Sequence, residues 1–235
     1  MNEHGLSQRL AQVGAEVPEG ARLADIGSDH AYLPVALMLA GKIDYAVAGE
    51  VVKGPFASAC KQVAKNGLAE KVVVRLADGL DAVVAEDAID TVTIAGMGGT
   101  LITSILEKGR QGQRLRGDER LILQPNVGER NVRQWLQDNH YQIVAEHILE
   151  ENDKIYEIIV GMPQPPQQPL SYSEKELFFG PFLGVEKNPI FIKKWQREQK
   201  NRLRVLDQLQ QAENPPREKI AEIRQQLAWI EEVLP

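Results

Sequence analysis

Arg22-Leu-Ala-Asp25-Ile-Gly27-Ser28-Asp29-His30-Ala-Tyr32-Leu-Pro34 opens as a short apolar run, ends that run in an acid and a glycine, and passes into a helical pattern. Tyr32 to Ala40 supplies Leu33, Val35, Leu37, Met38 and Leu39 to that helix. Pro34 suits a first helical turn, where its missing N–H would be unpaired anyway. A strand that yields to a helix within a few residues is the opening unit of an alternating α/β chain.

The alternation continues outward. Tyr45 to Glu50 reads as a second strand, and Pro55 opens a helix that stops at Asn66-Gly67. Val72 to Leu76 and Ile89 to Ala95 are the third and fourth strands, and Leu101 to Lys108 is helical. Arg120 to Gln124 is the fifth strand, and Asn126 begins a helix through Asn139. Tyr141 to His147 and Lys154 to Gly161, joined by a polar turn, form a hairpin. Uniformly apolar strands separated by helices predict a mostly parallel sheet covered on both faces, with one antiparallel strand from the hairpin.

Beyond residue 162 the composition shifts. Pro163-Gln-Pro165-Pro166-Gln-Gln-Pro169 reads as a proline-rich linker over 163–170, between a domain at 1–162 and a helical domain at 171–235. Ser173 and Glu176 form a capping box. Asn188-Pro189 opens a long helix to about Ala212, which Asn214-Pro215-Pro216 breaks. Ile220, Ile223, Leu227, Ile230 and Leu234 make a heptad stripe on the last helix. Ile192, Trp195, Leu203, Leu206 and Leu209 offer the facing stripe, so an antiparallel coiled-coil hairpin is expected.

Composition bounds the function. With 235 residues and 43% hydrophobic content the chain can bury a core without disulfides, and its one cysteine, Cys60, excludes an intrachain disulfide or a cysteine-cluster metal site. Four scattered histidines give no metal spacing, so no metal is expected. Met1 to Leu10 has no apolar signal core, and no apolar run approaches membrane length. A cytoplasmic protein with no membrane contact and no obligate protein partner is expected. The net charge of −6 argues at face value against nucleic acid. It is unevenly spread, however. Residues 1–170 hold 16 basic and 23 acidic side chains, giving −7; residues 171–235 hold 11 and 10, giving +1. Basic side chains concentrate in two windows. Arg110, Arg114, Arg116, Arg120, Arg130 and Arg133 form one, and Lys187 to Arg204, with Lys193, Lys194, Arg197, Lys200, Arg202 and Arg204, forms the other.

In an open parallel sheet ligands bind beyond the C-terminal strand ends. After strand one comes Asp25-Ile-Gly27-Ser-Asp29-His30, with an acid where a dinucleotide fingerprint has its second glycine. Asp29 would repel a pyrophosphate and instead suits an ammonium, which points to a cofactor bearing an amino acid. Glu50, 25 residues beyond Asp25, can accept both hydroxyl protons of a ribose. Asp78-Gly79 after strand three offers an acceptor for an adenine amino group. Gly96-Met97-Gly98-Gly99 after strand four implies close backbone approach to something bound. Gln124-Pro125-Asn126 after strand five presents two amides on a constrained turn. Each has a structural reading as well. Asp29 can cap the following helix, and Asn126 with Glu129 reads as a helix cap and its partner. The weight lies in their coincidence on one sheet edge.

Asp25-Ile-Gly-Ser-Asp-His-Ala-Tyr-Leu-Pro34, Gly49-Glu50-Val-Val-Lys-Gly54-Pro55, Ala77-Asp78-Gly79-Leu80, Ile94-Ala-Gly-Met-Gly-Gly99 and Leu123-Gln-Pro-Asn126 together resemble the bacterial tRNA (adenine(22)-N(1))-methyltransferase family. The resemblance runs over the whole chain. It implies a class I methyltransferase fold, Rossmann-like with seven strands, and methyl transfer from S-adenosylmethionine to adenine N1 in the D-arm region of tRNA, leaving S-adenosylhomocysteine. It places Asp25, Gly27, Asp29, His30, Glu50, Asp78, Gly79, Gly96 and Met97 with the cofactor. It places Gln124, Pro125 and Asn126 with the target adenine, and Arg9 within the family pattern. Asp29, Asp78 and Asn126 are the expected catalytic residues, and Lys193, Lys194, Arg197, Lys200 and Arg204 the expected tRNA contacts. A small-molecule methyltransferase, one acting on another RNA, and a non-catalytic cofactor-binding module are the alternatives.

Overall fold

The alternation becomes a seven-stranded sheet in the first of two units, Met1–Tyr172 and Ser173–Pro235. The computed structural model describes residues 5–164 and 171–235. The proline-rich linker therefore falls largely outside the described residues, and Pro163 closes the last strand.

The first unit runs α1 (Gln8–Ala15), β1 (Ala21–Ile26), α2 (Tyr32–Leu39), β2 (Ile43–Glu50), α3 (Lys53–Lys65), β3 (Val72–Leu76), β4 (Thr91–Gly98), α4 (Gly99–Gln111), β5 (Arg120–Val127), α5 (Glu129–Asp138), β6 (Tyr141–Glu151) and β7 (Lys154–Pro163). Strand order is β3-β2-β1-β4-β5-β7-β6. β7 alone runs antiparallel to both its neighbours, β5 and β6. The order reverses between β1 and β4, which makes their C-terminal ends the switch point.

The apolar runs explain the layers. Ala24, Ile26, Val92, Ile94, Leu121 and Leu123 pack beneath Ile102, Leu106, Val132 and Leu136 of α4 and α5. Leu23, Ala46, Ala48 and Ile122 face the other layer, with Leu33, Val35, Leu37 and Met38 of α2. α2 buries five of its eight residues, so its uniformly apolar sequence is that of a core helix.

Three local features depart from the sequence reading. α1 was not expected; Ser7 caps it by accepting from the Leu10 N–H at 3.2 Å, and Leu10 and Val13 are buried. β5 does not stop at Gln124. It continues through Pro125 and Asn126 to Val127, and α5 starts only at Glu129, behind Gly128 in the left-handed region. Asn126 is therefore no helix cap, because its amide bonds sideways to β4. The stretch expected as a glycine turn is the end of β4 running directly into α4. Its tightness is real: a Cβ on Gly99 would stand 2.2 Å from the Gly128 carbonyl oxygen.

Asn152 and Asp153, both at positive φ, make the two-residue turn of the β6–β7 hairpin. Behind this hairpin Arg133 of α5 is buried between Glu146 of β6 at 2.6 Å and Glu157 of β7 at 2.5 Å.

The second unit holds α6 (Glu174–Phe179), α7 (Leu183–Glu186), α8 (Pro189–Gln210) and α9 (Arg217–Val233). The capping box at Ser173 and Glu176 and the Asn188 cap both form. α9 buries Ile220, Ile223, Leu227 and Ile230 of the expected stripe; Leu234 falls just past the helix end and is half-buried. The stripe on α8 differs. Phe191 is buried in place of Ile192, Leu203 is 51% exposed, and Arg202 is turned in beside Leu206 and Leu209. The reason is amphipathic. Arg202 lies over Phe178 and Trp195 at 5.2 and 5.8 Å, with its head bonded to Gln226 of α9 and paired with Glu198. Phe178, Phe179, Phe191, Trp195 and Trp229 pack ring on ring as this unit's own core.

Candidate active site

The loop after β1 puts three consecutive non-glycine residues in the left-handed region. Asp29, His30 and Ala31 are all left-handed, at φ 44, 70 and 57°, following Gly27 at 70°. Such a turn costs on the order of 1–3 kcal/mol per non-glycine residue and persists only where its surroundings enforce it. Here they do. The Gly27 and Ser28 amides donate to the Gly49 carbonyl at 2.9 and 3.2 Å, and the Asp29 amide donates to Glu50 Oε1 at 2.5 Å. Ser28 Oγ donates to Asp25 Oδ2 at 2.5 Å, and Thr93 Oγ1 donates to Asp25 Oδ1 at 2.6 Å. Asp25 is thus a buried anchor under the loop. Asp29 is not a helix cap: Ala31 stands at that position and no side chain caps α2. Its carboxylate is exposed, with His30 Nε2 at 3.5 Å, and the His30 ring stacks on Tyr32.

Three acids share this edge. Burial pushes the Asp25 carboxyl up, against the hydrogen bonds from Ser28 and Thr93 and the charge of Arg9. Burial also raises Glu50, against its bond from the Asp29 amide, and the charges of Asp29 and Asp25 add to the rise. One Glu50 oxygen is already committed to the loop, so its second oxygen carries most of any ribose contact.

Beside the loop lies a pocket of about 390 Å³, walled by Ile26, Val51, Met97, Leu101 and Ile105 with Asp78 and Gly79 at one side. The apolar walls suit the faces of a flat heteroaromatic ring, and Asp78 supplies an edge acceptor. Asp78 is exposed and pairs with Lys108 Nζ at 2.8 Å. A Cβ on Gly27 would come within 2.1 Å of Met97 Cε, so a side chain there would displace the end of the methionine that crosses the loop. These residues fit an adenosyl group with an amino-acid tail.

A second group forms where β4 meets β5. The β4 register slips twice around Gly96, whose φ is +79°. Side chains of β5 repair the broken ladder: Gln124 Oε1 accepts the Gly96 N–H at 2.9 Å, and Asn126 Nδ2 donates to the Gly96 carbonyl at 2.8 Å. Pro125, opposite Met97, sits where the slip asks for no amide donor. Arg9 arrives from α1, 115 residues away in sequence, and donates to Gln124 Oε1 at 2.5 Å. Its guanidinium lies 5.5 Å from the Tyr156 ring centroid.

The fold therefore gathers Asp25, Gly27, Asp29, His30, Glu50, Asp78, Gly79, Gly96 and Met97 along the edge of β1 to β4, and Arg9, Gln124, Pro125 and Asn126 around β4 and β5. Lys193, Lys194, Arg197, Lys200 and Arg204 belong to the second unit, on α8. Sequence reasoning missed Thr93 and Tyr156. Thr93 carried a signal, as a polar residue inside an apolar parallel strand. Tyr156 carried none, because its place depends on which strand of the hairpin pairs with β5. Among the described residues no group of His, Cys, Asp and Glu could hold a metal ion, and no helix is long and apolar enough to cross a membrane.

Comparison with known proteins shows the family. Residues 23–232 match the family model for tRNA (adenine(22)-N(1))-methyltransferase. The tRNA (adenine(22)-N(1))-methyltransferase of Bacillus subtilis (strain 168) is 44% identical over 239 residues, covering 100% of this chain and 99% of that protein. A Streptococcus pneumoniae protein solved in complex with S-adenosyl-L-methionine superposes with a TM-score of 0.88 at 45% identity, over 98% of this chain and 100% of that one. An M. capricolum protein solved with the cofactor product S-adenosyl-homocysteine superposes with a TM-score of 0.82 at 30% identity, over 98% and 99%.

Proposed function

The chain belongs to the tRNA (adenine(22)-N(1))-methyltransferase family, and from that premise we propose how its own residues carry the reaction. The protein methylates N1 of adenine 22 of tRNA, using S-adenosylmethionine. When bound, that cofactor supplies an electrophilic methyl group on a sulfonium sulfur. Asp29 and His30 on the strained loop take the amino-acid end, and Asp25 beneath fixes the loop. Glu50 takes the ribose, Asp78 and Gly79 take the adenine end, and Gly96 and Met97 separate cofactor from target base.

Adenine N1 keeps its lone pair at neutral pH, so no strong base is required. The protein contributes alignment and stabilisation of the positive charge that grows on the target ring. Because N1 lies on the pairing edge, the base must leave its stack. Gln124, Pro125 and Asn126 receive it, and Arg9 acts as a positioning residue that holds Gln124. Asn126 and one carboxylate, Asp29 or Asp78, hold the ring and offset its charge; Asp78 shares its charge with Lys108, which favours Asp29.

For the tRNA backbone we assign α8. Lys193, Arg197, Lys200 and Arg204 follow 4,3,4 spacing and are all exposed. At roughly 100° per residue they fall on the face opposite Phe191, Trp195, Arg202 and Leu206. Lys194 lies off this stripe, half-buried with its ammonium 5.5 Å from the Trp195 ring. Phosphate contacts of this kind position a nucleic acid without reading its bases. A tRNA substrate places the enzyme in the cytoplasm.

The observation that carries this reading is the convergence of all five sequence motifs on one sheet edge. Its test is methylation of an unmodified tRNA transcript with labelled cofactor. We expect 1-methyladenosine at position 22 and no label when that adenine is replaced by guanine. Label in another nucleoside, or none on any RNA, would overturn it.

A further inference from the structure

β7 is the one strand that enters the sheet backwards, so its first residues, not its last, lie at the active edge. Leu121 pairs with Gly161 and Leu123 with Ile159. Continuing that antiparallel count by three residues sets Asn126 opposite Tyr156. The surface there is concave, an open hollow lined by Asn126, Lys154, Ile155 and Tyr156. Tyr156 is half-buried and Lys154 exposed, on the same face of the strand. On the opposite face Glu157 is buried against Arg133 at 2.5 Å, which clamps this end of β7. Arg9 holds Gln124 and lies over the Tyr156 ring, tying the ring to the Gly96 bulge.

We propose that Tyr156 is the platform on which the extruded adenine stacks, with Asn126 at its pairing edge and Lys154 on the flanking phosphate. The chemistry fits the site. A flipped base needs an aromatic face and an edge contact. A ring becoming cationic on methylation is further favoured over a tyrosine face. Lys154, two residues along the same strand face, offers a point charge for a phosphate.

This inference rests on the methyltransferase reading, and its test separates the two. Three readouts are compared for Tyr156→Leu, Tyr156→Phe and the unaltered enzyme: kcat/KM on the tRNA transcript, cofactor affinity by calorimetry, and fluorescence of 2-aminopurine placed at position 22. For Tyr156→Leu we expect kcat/KM to fall by roughly tenfold to a hundredfold, cofactor affinity within twofold of the original, and brighter 2-aminopurine because stacking quenching is lost. Tyr156→Phe should rescue most of the loss. Unchanged kcat/KM and fluorescence in Tyr156→Leu would overturn the platform while leaving the methylation assignment intact. Loss of cofactor affinity in parallel with activity would also overturn it, as a structural role. No 1-methyladenosine from the unaltered enzyme would instead overturn the reading beneath.

Discussion

Two windows of the chain look alike in composition and behave differently in the fold. Arg110 to Arg133 and Lys187 to Arg204 are both rich in cations, and both invite an RNA reading. In the first, Arg110 meets Glu107, Arg116 meets Asp118 and Glu119, Arg120 meets Glu16, and Arg133 is buried between Glu146 and Glu157. In the second, Arg202 turns inward and Lys194 lies half-buried against Trp195, while Lys193, Arg197, Lys200 and Arg204 share the outer face of α8. The difference teaches that a basic run is a candidate interface where its cations line up on one exposed face of an element. In the first window they are spread over α4, the loop before β5, β5 and α5.

The largest effect should come from the buried cation. Arg133→Met leaves two carboxylates buried without their counter-charge, and removing one partner of a buried cluster costs on the order of 3–5 kcal/mol. Denaturant unfolding should show that loss; an unchanged midpoint would mean the cluster is not the clamp described. Next comes the outer stripe. Replacing Lys193, Arg197, Lys200 and Arg204 by alanine should reduce the salt slope of tRNA binding by about three, with unfolding and cofactor affinity as before. A salt slope equal to that of the unaltered enzyme would erase the distinction between the windows. The smallest effect belongs to Arg110 and Arg116. Their replacement by alanine should leave the tRNA salt slope where it was, as measured by filter binding between low and moderate salt. A fall as large as that from the stripe would return the first window to the RNA surface.

Some of this was readable along the chain. The strand–helix alternation, the acids after β1, β2 and β3, the capping box at Ser173 and the stripe of α9 all depend on neighbours within a turn or a strand length. The readings that changed depended on more distant partners. Asn126 followed by Glu129 has the local form of a helix cap, yet its amide nitrogen bonds the carbonyl of Gly96, thirty residues back. Leu203 suits an inward stripe by hydrophobicity, yet Arg202 takes the place because aromatic faces from α6 and α8 and a glutamine from α9 converge there.

By itself, then, the sequence determined most of the elements and set acids at the ends of β1, β2 and β3, because periodicity and turn chemistry are short-range properties. The tertiary structure alone decided that β7 rather than β6 pairs with β5, and with it the meeting of Tyr156 and Asn126. It alone brought Arg9 across to Gln124 and buried Arg133 between Glu146 and Glu157. Strand pairing and ion pairing join groups that the chain holds far apart, and no local pattern records which partner will arrive.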